Sequence, residues 1–291
     1  MSDTLFPFFN SNSDKVALVE GENKHTYSEV NDRINLFSSG ILGAKEDLNE
    51  ERIAFFLPAS LDYVTTMHGV WRAGGIAVPL NVASAVSELD HYLTCAKVTR
   101  LIAGTQYHDS LKGLCNSLKI ELLSVSDVMA EEPRALPLIN PERRAMMLFT
   151  SGTTNKPKGV VSTHKTICAQ ITTLITAWEW SERDVIPLFL PLHHIHGIIN
   201  ILSCGLWAGA TVHLFSKFDI PKISKQITHG TYNVFMAVPT IYVKLIQYFE
   251  TIEKDEVDKI CAGFSAMRLN ISGSAACPVK LFEQWKELTG Q

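Results

Sequence analysis

The sequence predicts an α/β protein with largely parallel sheets, and three observations support this prediction. Short apolar runs alternate with stretches of helical periodicity from one end of the chain to the other. The runs are two to six residues long, and proline, glycine or polar residues end them, as at Pro58 after residues 53–57. The chain has 291 residues and is 46% hydrophobic and 19% charged, which suits a globular protein with a large core.

In the first half of the chain, strands are expected at residues 53–57, 76–80 and 101–103. Helices are expected at residues 60–71 and 87–95, because apolar residues recur there at helical spacing. Residues 124–144 then contain three prolines and several acidic residues, which interrupt any long element. We therefore predict a first α/β subdomain at residues 5–140 and a second one at residues 141–291.

In the second half, an apolar run at residues 146–149 and the pair Val160-Val161 predict two strands joined by a polar loop. An amphipathic helix is expected near residues 167–178, and another begins near Thr240. The further strands expected in this half are residues 185–190, 211–215, 233–238 and 268–271.

Composition also excludes several classes of function. The net charge is −4 and no cluster of lysine and arginine is present, which argues against a nucleic-acid partner. The six cysteines form no C-x-x-C pair, so they are interpreted as small buried side chains in a reducing compartment rather than as metal ligands or disulfides. No apolar stretch reaches 18 residues, so no transmembrane segment is expected. Oligomeric state is left open.

The first residues contain an acid and no arginine, unlike a signal or transit peptide. From this we expect either a cytoplasmic protein or one whose targeting segment is absent from this chain.

The polar loop at residues 150–159 is the most informative segment, with the sequence TSGTTNKPKG. Small residues let backbone N–H groups approach an anion, the hydroxyls add donors, and Lys158 adds a positive charge, so the loop suits a polyphosphate. The same composition also fits a solvated hairpin loop. A Walker loop is excluded, because its lysine follows the second glycine, whereas Lys158 precedes Gly159.

The order of residues in this loop resembles the [ST]-S-G-[ST]-T-G-x-P-K-G signature of adenylate-forming enzymes, the superfamily that includes the acyl-CoA synthetases. Only Asn155 departs from the signature, where glycine is usual, and asparagine tolerates left-handed backbone angles better than most residues. The resemblance implies catalytic roles for Lys158 and Thr153. It also implies that the phosphates of ATP bind the following residues: Thr150, Ser151, Gly152, Thr153, Thr154, Asn155, Lys156, Pro157 and Lys158.

Two further segments follow predicted strands. Residues 190–197 read LPLHHIHG, which could be a metal site, a polar pocket wall or histidines that cap a turn. A pocket wall is favoured over a metal site, because successive side chains diverge and no cysteine or carboxylate lies nearby in the sequence. Residues 272–276 are all small, which permits either close approach of a ligand or a simple tight turn.

Several segments are similar to acyl-CoA synthetase segments, in the family order and at the family spacing. They are residues 26–29, 71–75, 78–81, 150–164, 191–197, 234–240 and 272–276. The strings LPLHHIHG, NVFMAVPTIY and ISGSAA most resemble the malonyl-CoA synthetases. The resemblance implies ATP, Mg²⁺ and coenzyme A as cofactors and a small carboxylate substrate, with malonate favoured. It implies a mitochondrial location as the alternative to the cytoplasm, and an acyl pocket lined by His194 and Ser274.

In this family the chain continues into a Y-G-x-T-E motif, a ribose-binding aspartate and a small domain that carries a lysine for adenylation. None of these is in the sequence. We therefore expect the 291 residues to form the amino-terminal part of the large adenylate-forming domain and to be inactive alone. The alternatives are a noncatalytic short product that binds nucleotide or acyl ligand, a synthetase for another small or medium-chain acid, and a phosphate-loop protein of unrelated chemistry.

Overall fold

Three β-sheets organise the computed structural model, which describes residues 13–150 and 157–291. The strands in chain order are β1 (Val16–Glu20), β2 (Asn23–Thr26), β3 (Arg52–Phe56), β4 (Ile76–Pro79), β5 (Arg100–Ala103), β6 (Glu121–Leu123), β7 (Arg144–Thr150), β8 (Lys158–Thr163), β9 (Val185–Leu188), β10 (Thr211–Leu214), β11 (Val234–Ala237) and β12 (Leu269–Ser272). Every strand predicted from the sequence is present, with ends that differ by no more than about two residues.

Helices cover the sheets. They are α1 (Tyr27–Leu42), α2 (Leu61–Arg72), α3 (Val86–Ala96), α4 (His108–Leu118), α5 (Val125–Val128), α6 (His164–Ala177), α7 (Cys204–Ala208), α8 (Ile220–Thr228), α9 (Pro239–Phe249), α10 (Lys254–Ser265) and α11 (Val279–Thr289). A short 3₁₀ turn (Thr105–Tyr107) precedes α4, and a π-helix (His196–Ser203) precedes α7. The helices predicted at residues 60–71 and 87–95, near 167–178 and from Thr240 are confirmed as α2, α3, α6 and α9.

The largest sheet has six strands in the order β6-β5-β3-β4-β7-β8, all parallel except the edge strand β8. Alternate residues of its central strand β3 enter two different hydrophobic clusters. Ile53 and Phe55 pack into the larger cluster, whereas Ala54 and Phe56 pack into the smaller one. Both faces of the strand are therefore buried, which explains its continuous apolar sequence.

The other two sheets complete the α/β architecture. One has the order β2-β1-β10-β9, in which only β2 is antiparallel to its neighbour, and the other is the parallel pair β11-β12. Strand β9 contacts β11, so the two small sheets lie side by side. The prediction of an α/β fold with largely parallel sheets is confirmed.

The β-sheets do not separate at the subdomain boundary that was predicted from the sequence. Strands β7 and β8 lie after residue 140 but join the six-stranded sheet, and β1 and β2 lie before it but join the sheet that contains β10. Consequently, the predicted boundary between residues 140 and 141 does not coincide with the separation of the sheets.

A buried carboxylate connects the starts of three strands. Asp184, which is 1% exposed and directly precedes β9, accepts hydrogen bonds from Arg268 Nε at 2.7 Å and from another Arg268 guanidinium nitrogen at 2.6 Å. It also accepts from the Asn233 amide at 3.1 Å and from the Ser181 backbone at 2.8 Å. Because Asn233 precedes β11 and Arg268 precedes β12, one side chain fixes the spacing of β9, β11 and β12.

Two histidines are buried around Trp71, between α2 and α6. The ring of His68 lies 5.2 Å from that of Trp71, and the ring of His164 lies 6.0 Å from it on the other helix. Burial lowers the pKa of His68 to about 3 and that of His164 to about 4. The positive charge of Arg143 also lowers the pKa of His164, and Glu50 opposes this effect. The folded protein therefore holds both rings neutral near neutral pH.

We expect acid to destabilise the fold through these rings. The pKa of histidine in the unfolded chain is near 6.5. Below that pH the unfolded chain binds protons that the folded chain does not bind, so the free energy of unfolding falls as the pH falls toward 4. Urea unfolding at about pH 7, 6 and 5 should show this slope. His164→Gln should remove the part of this pH dependence that His164 contributes, which is on the order of 2 kcal/mol over this pH range.

The control is Ile171→Val, a fully buried position on the same helix. It should lower stability by about 0.5–1.5 kcal/mol equally at every pH, because no charge changes. An unchanged pH slope in His164→Gln would show that the acid sensitivity arises elsewhere.

Candidate functional site

The predicted phosphate loop joins the antiparallel strands β7 and β8. Phe149 pairs with Gly159 and Thr150 with Lys158, so the two stems of the loop are held in register. The side chains of both Thr150 and Lys158 are exposed at the end of this hairpin, while Pro157 is partly buried. The remaining predicted phosphate contacts lie outside the described residues; they are Ser151, Gly152, Thr153, Thr154, Asn155 and Lys156.

Gly159, next to Lys158, lies against the Met147 side chain of the paired strand β7. A Cβ atom on Gly159 would lie 2.9 Å from Met147 Sδ and 3.2 Å from Met147 Cγ, closer than side chains normally approach. The glycine of the signature is thus explained by packing on β7, and not only by access of a phosphate to the backbone.

The second predicted site lies where β9 and β12 end. The chain leaves β9 at Leu188 and enters the π-helix at His196, and it leaves β12 at Ser272 and passes through Gly273 and Ser274. His196 is 6% exposed, and its Nδ1 atom lies 2.8 Å from Ser274 Oγ. The two segments that were singled out in the sequence are therefore in direct contact.

His196 is held closely by its surroundings. A Cβ atom on Gly273 would lie 3.1 Å from His196 Cε1, so the small residue is needed for the ring to fit. Burial lowers the pKa of His196, which keeps the ring neutral. Its other nitrogen, Nε2, is buried and has no hydrogen-bond partner among the described residues. Such a nitrogen is suited to meet a polar atom of a ligand.

His194 takes a different position from His196. Its side chain is exposed, and its ring lies 4.0 Å from that of His193. Its neighbours still shield one side of the His194 ring from water, and this partial desolvation lowers the pKa of His194. Desolvation, together with the nearby His194, lowers the pKa of His193 to about 4. The chain just before these histidines is held by the Tyr63 hydroxyl, which donates a hydrogen bond to the Leu192 carbonyl oxygen at 2.7 Å. The role of His194 in acyl binding stays a prediction.

His196 is the site residue that sequence reasoning passed over. A signal was present in the sequence, because His196 comes just before the mainly apolar run of residues 198–202. Such a run predicts a buried element, so a histidine at its start is expected to be buried too. The backbone of Ser274, with φ of 64°, is a second feature that the sequence does not show.

Comparison with known proteins identifies the family. The sequence profile described as AMP-binding enzyme matches residues 8–291, nearly the whole chain. The chain belongs to the AMP-binding enzyme family. Among its relatives, the mitochondrial malonate–CoA ligase ACSF3 of Homo sapiens is 36% identical over 315 residues, which cover 99% of this chain and 54% of the relative. The ACSF3 protein of Mus musculus is 35% identical over 95% of this chain and 50% of its own.

Solved structures of the AMP-binding enzyme family share the fold. The ATP-bound MatB of Rhodopseudomonas palustris superimposes with a TM-score of 0.85 at 25% identity, over 100% of this chain and 58% of MatB. A malonyl-CoA ligase in a ternary product complex with methylmalonyl-CoA and AMP gives a TM-score of 0.82 at 26% identity, over 98% of this chain and 59% of that one. The chain thus spans about half the length of the curated relatives that it matches.

The described part of the chain contains neither a metal-binding cluster nor a membrane-spanning helix. Residues 13–150 and 157–291 contain no group of three or more His, Cys, Asp or Glu side chains placed to hold a metal ion. Among the same residues, no helix combines the length and the apolar character that crossing a bilayer requires.

Proposed function

We propose that the natural protein carrying this sequence activates a short-chain carboxylic acid with ATP and transfers the acyl group to coenzyme A. The observation that carries this proposal is the β7–β8 hairpin, which presents Thr150 and Lys158 at the two ends of a loop with the adenylate-forming signature. Malonate is the favoured acid, because relatives at 35–36% identity are named malonate–CoA ligases.

The reaction requires two displacements. A carboxylate oxygen attacks the α-phosphorus of ATP, the bond from that phosphorus to the β-phosphate oxygen breaks, and pyrophosphate leaves. The thiol of coenzyme A then loses its proton to solvent and its sulfur attacks the acyl carbon, and AMP leaves with the electron pair of the broken bond. Negative charge grows on the departing pyrophosphate only in the first displacement, so positioned cations and donors speed that step.

The roles of the loop residues follow from this chemistry. Lys158 supplies the positive charge at the pyrophosphate. The hydroxyls of Thr150, Ser151, Thr153 and Thr154 donate hydrogen bonds to phosphate oxygens. Gly152, Asn155, Lys156 and Pro157 are proposed to contact the phosphates as well.

The acyl pocket is proposed around Ser274 and the two histidines His194 and His196. If the Ser274 hydroxyl donates to His196 Nδ1, then His196 Nε2 carries the proton and can donate to an oxygen of the acid. Only a neutral ring allows this arrangement, and the lowered pKa of His196 keeps it neutral.

Mg²⁺ and coenzyme A are proposed by resemblance. A mitochondrial location is proposed from the relatives named ACSF3, with the cytoplasm as the alternative. The inactivity of residues 1–291 produced alone stays a prediction.

Pyrophosphate release by the natural protein tests the function. The protein is incubated with ATP, Mg²⁺ and one acid at a time from a panel of malonate, methylmalonate, acetate and medium-chain acids. Thermal shifts with the same ligands report binding, since a ligand of the folded state raises the midpoint. Release that depends on malonate supports the proposal, and release only with another acid corrects the substrate. Binding of ATP without release with any acid favours the noncatalytic product.

The Ser274 hydroxyl gives a separate prediction. Ser274→Ala removes the partner of His196, and we expect the KM for the acid to rise roughly fivefold to tenfold while the KM for ATP changes little. Ser274→Gly should have the same effect on the acid but be more stable than Ser274→Ala by about 1 kcal/mol, because glycine tolerates the positive φ. Equal changes in both KM values would contradict a place in the acyl pocket.

A further inference from the structure

Helix α3 contacts the phosphate loop at the residue next to Lys158. His91 Nε2 lies 2.9 Å from the carbonyl oxygen of Pro157, and α3 also packs against β8. A carbonyl oxygen can only accept a hydrogen bond, so Nε2 is the donor. This bond crosses 66 residues of sequence and holds the peptide unit from which Lys158 extends.

The neighbouring residue on α3 contacts the other stem of the loop. The ring of Tyr92 lies 4.6 Å from that of Phe149, and the ring of His91 lies 6.4 Å from it, nearly edge-on. Phe149 directly precedes Thr150. Two consecutive residues of one helix therefore contact both stems, one before the loop and one after it.

Helix α3 is itself firmly placed. Leu89 and Leu93, one turn apart, are each 1% exposed in the smaller hydrophobic cluster, and Phe149 packs against the same cluster. The helix begins with Glu88 accepting a hydrogen bond from the Ala85 backbone at 3.3 Å. Helix α3 is therefore rigid enough to hold the β7–β8 hairpin in position.

From these contacts we infer that His91 is a positioning residue of the phosphate loop, which holds Pro157 so that Lys158 is directed at the polyphosphate of ATP. The inference rests on the proposed function. Misplacing a group by about 1 Å can slow a reaction by roughly 100-fold. A hydrogen bond that fixes the backbone at Lys158 can therefore have a large effect on the reaction.

The test compares His91→Ala with His91→Gln in the natural protein, because glutamine keeps an N–H donor of similar reach. We expect His91→Ala to raise the KM for ATP, and the dissociation constant of inorganic pyrophosphate measured by calorimetry, roughly fivefold to tenfold. His91→Gln should restore most of this loss. The KM for the acid and the thiolysis of a supplied acyl-adenylate should stay within about twofold in both variants.

The matched control is His108→Ala. His108, at the start of α4, likewise contacts a backbone carbonyl through its Nε2 atom, that of Ala103 at 3.2 Å. Ala103 ends β5, and β3 and β4 lie between β5 and β7 in the sheet. His108→Ala should change stability about as much as His91→Ala does and leave pyrophosphate binding unchanged.

Two outcomes would overturn the inference: unchanged pyrophosphate binding in His91→Ala, or a loss in His91→Gln as large as in His91→Ala. The proposed function fails separately, when the unsubstituted protein releases no pyrophosphate with any acid. Pyrophosphate binding still tests His91 in that case, and an unsubstituted protein that binds neither ATP nor pyrophosphate contradicts both.

Discussion

Lys158→Ala is expected to slow formation of the acyl-adenylate by roughly 100-fold to 1,000-fold, and to change thiolysis of a supplied acyl-adenylate by less than about threefold. The reason is that charge develops on departing pyrophosphate only in the first step. Lys158 is exposed at the end of the hairpin and opposite Thr150, the position in which the proposed function places a phosphate group. Single-turnover measurements on the natural protein, one for each half-reaction, separate the two effects.

Lys165→Ala is the control for this prediction. Lys165 lies close in sequence, is 65% exposed and pairs with Glu142 on the surface, but it has no place in the loop. Both half-reactions should be unaffected. Equal losses in both half-reactions for Lys158→Ala would mean that Lys158 supports folding or acyl binding instead. Lys158→Arg should recover part of the rate, because the charge is kept while its shape changes.

Asp184→Ala is expected to have the largest effect on stability, lowering the free energy of unfolding by about 3–5 kcal/mol. Asp184 is buried and accepts four hydrogen bonds that join the starts of β9, β11 and β12. Its removal leaves the Arg268 guanidinium, whose side chain is 31% exposed, without its carboxylate. Urea unfolding monitored by far-UV circular dichroism gives the value.

Asp255→Ala is the matched control, because it removes another carboxylate that pairs with a cation. The Asp255–Lys259 pair lies on the surface, with side chains 82% and 64% exposed, so its loss should change the free energy of unfolding very little. A cost for Asp184→Ala as small as that for Asp255→Ala would show that the three strand starts are held by other contacts.

The local elements of this fold could be predicted because each one is specified by neighbouring residues. Strand β3 has a continuous apolar sequence since both of its faces are buried, and Ser60 caps α2 by accepting from the Tyr63 backbone at 3.2 Å. The partners of the strands could not be predicted in this way. Nothing near β1 specifies β10, because their pairing depends on the shape of the assembled core.

The candidate site was predictable to a similar degree. The phosphate loop was predicted because it carries the fixed run of small and polar residues of the adenylate-forming signature, and β7 and β8 confirm the predicted strands on either side. The contact of His196 with Ser274 was not foreseen, since it depends on the turn of the π-helix and on space left by Gly273. The contact of His91 with Pro157 likewise joins segments that are distant in sequence.

The position of β1 beside β10 also affects the order in which the protein can fold as it leaves the ribosome. The Thr211 hydroxyl donates to the Val16 carbonyl oxygen across 195 residues of sequence, and β10 separates β1 from β9 in the sheet. At a synthesis rate of about 5–20 residues per second, β10 is synthesised roughly 10–40 s after the β1–β2 hairpin. During that interval one edge of β1 is open, so the nascent chain is expected to depend on chaperones until β10 emerges.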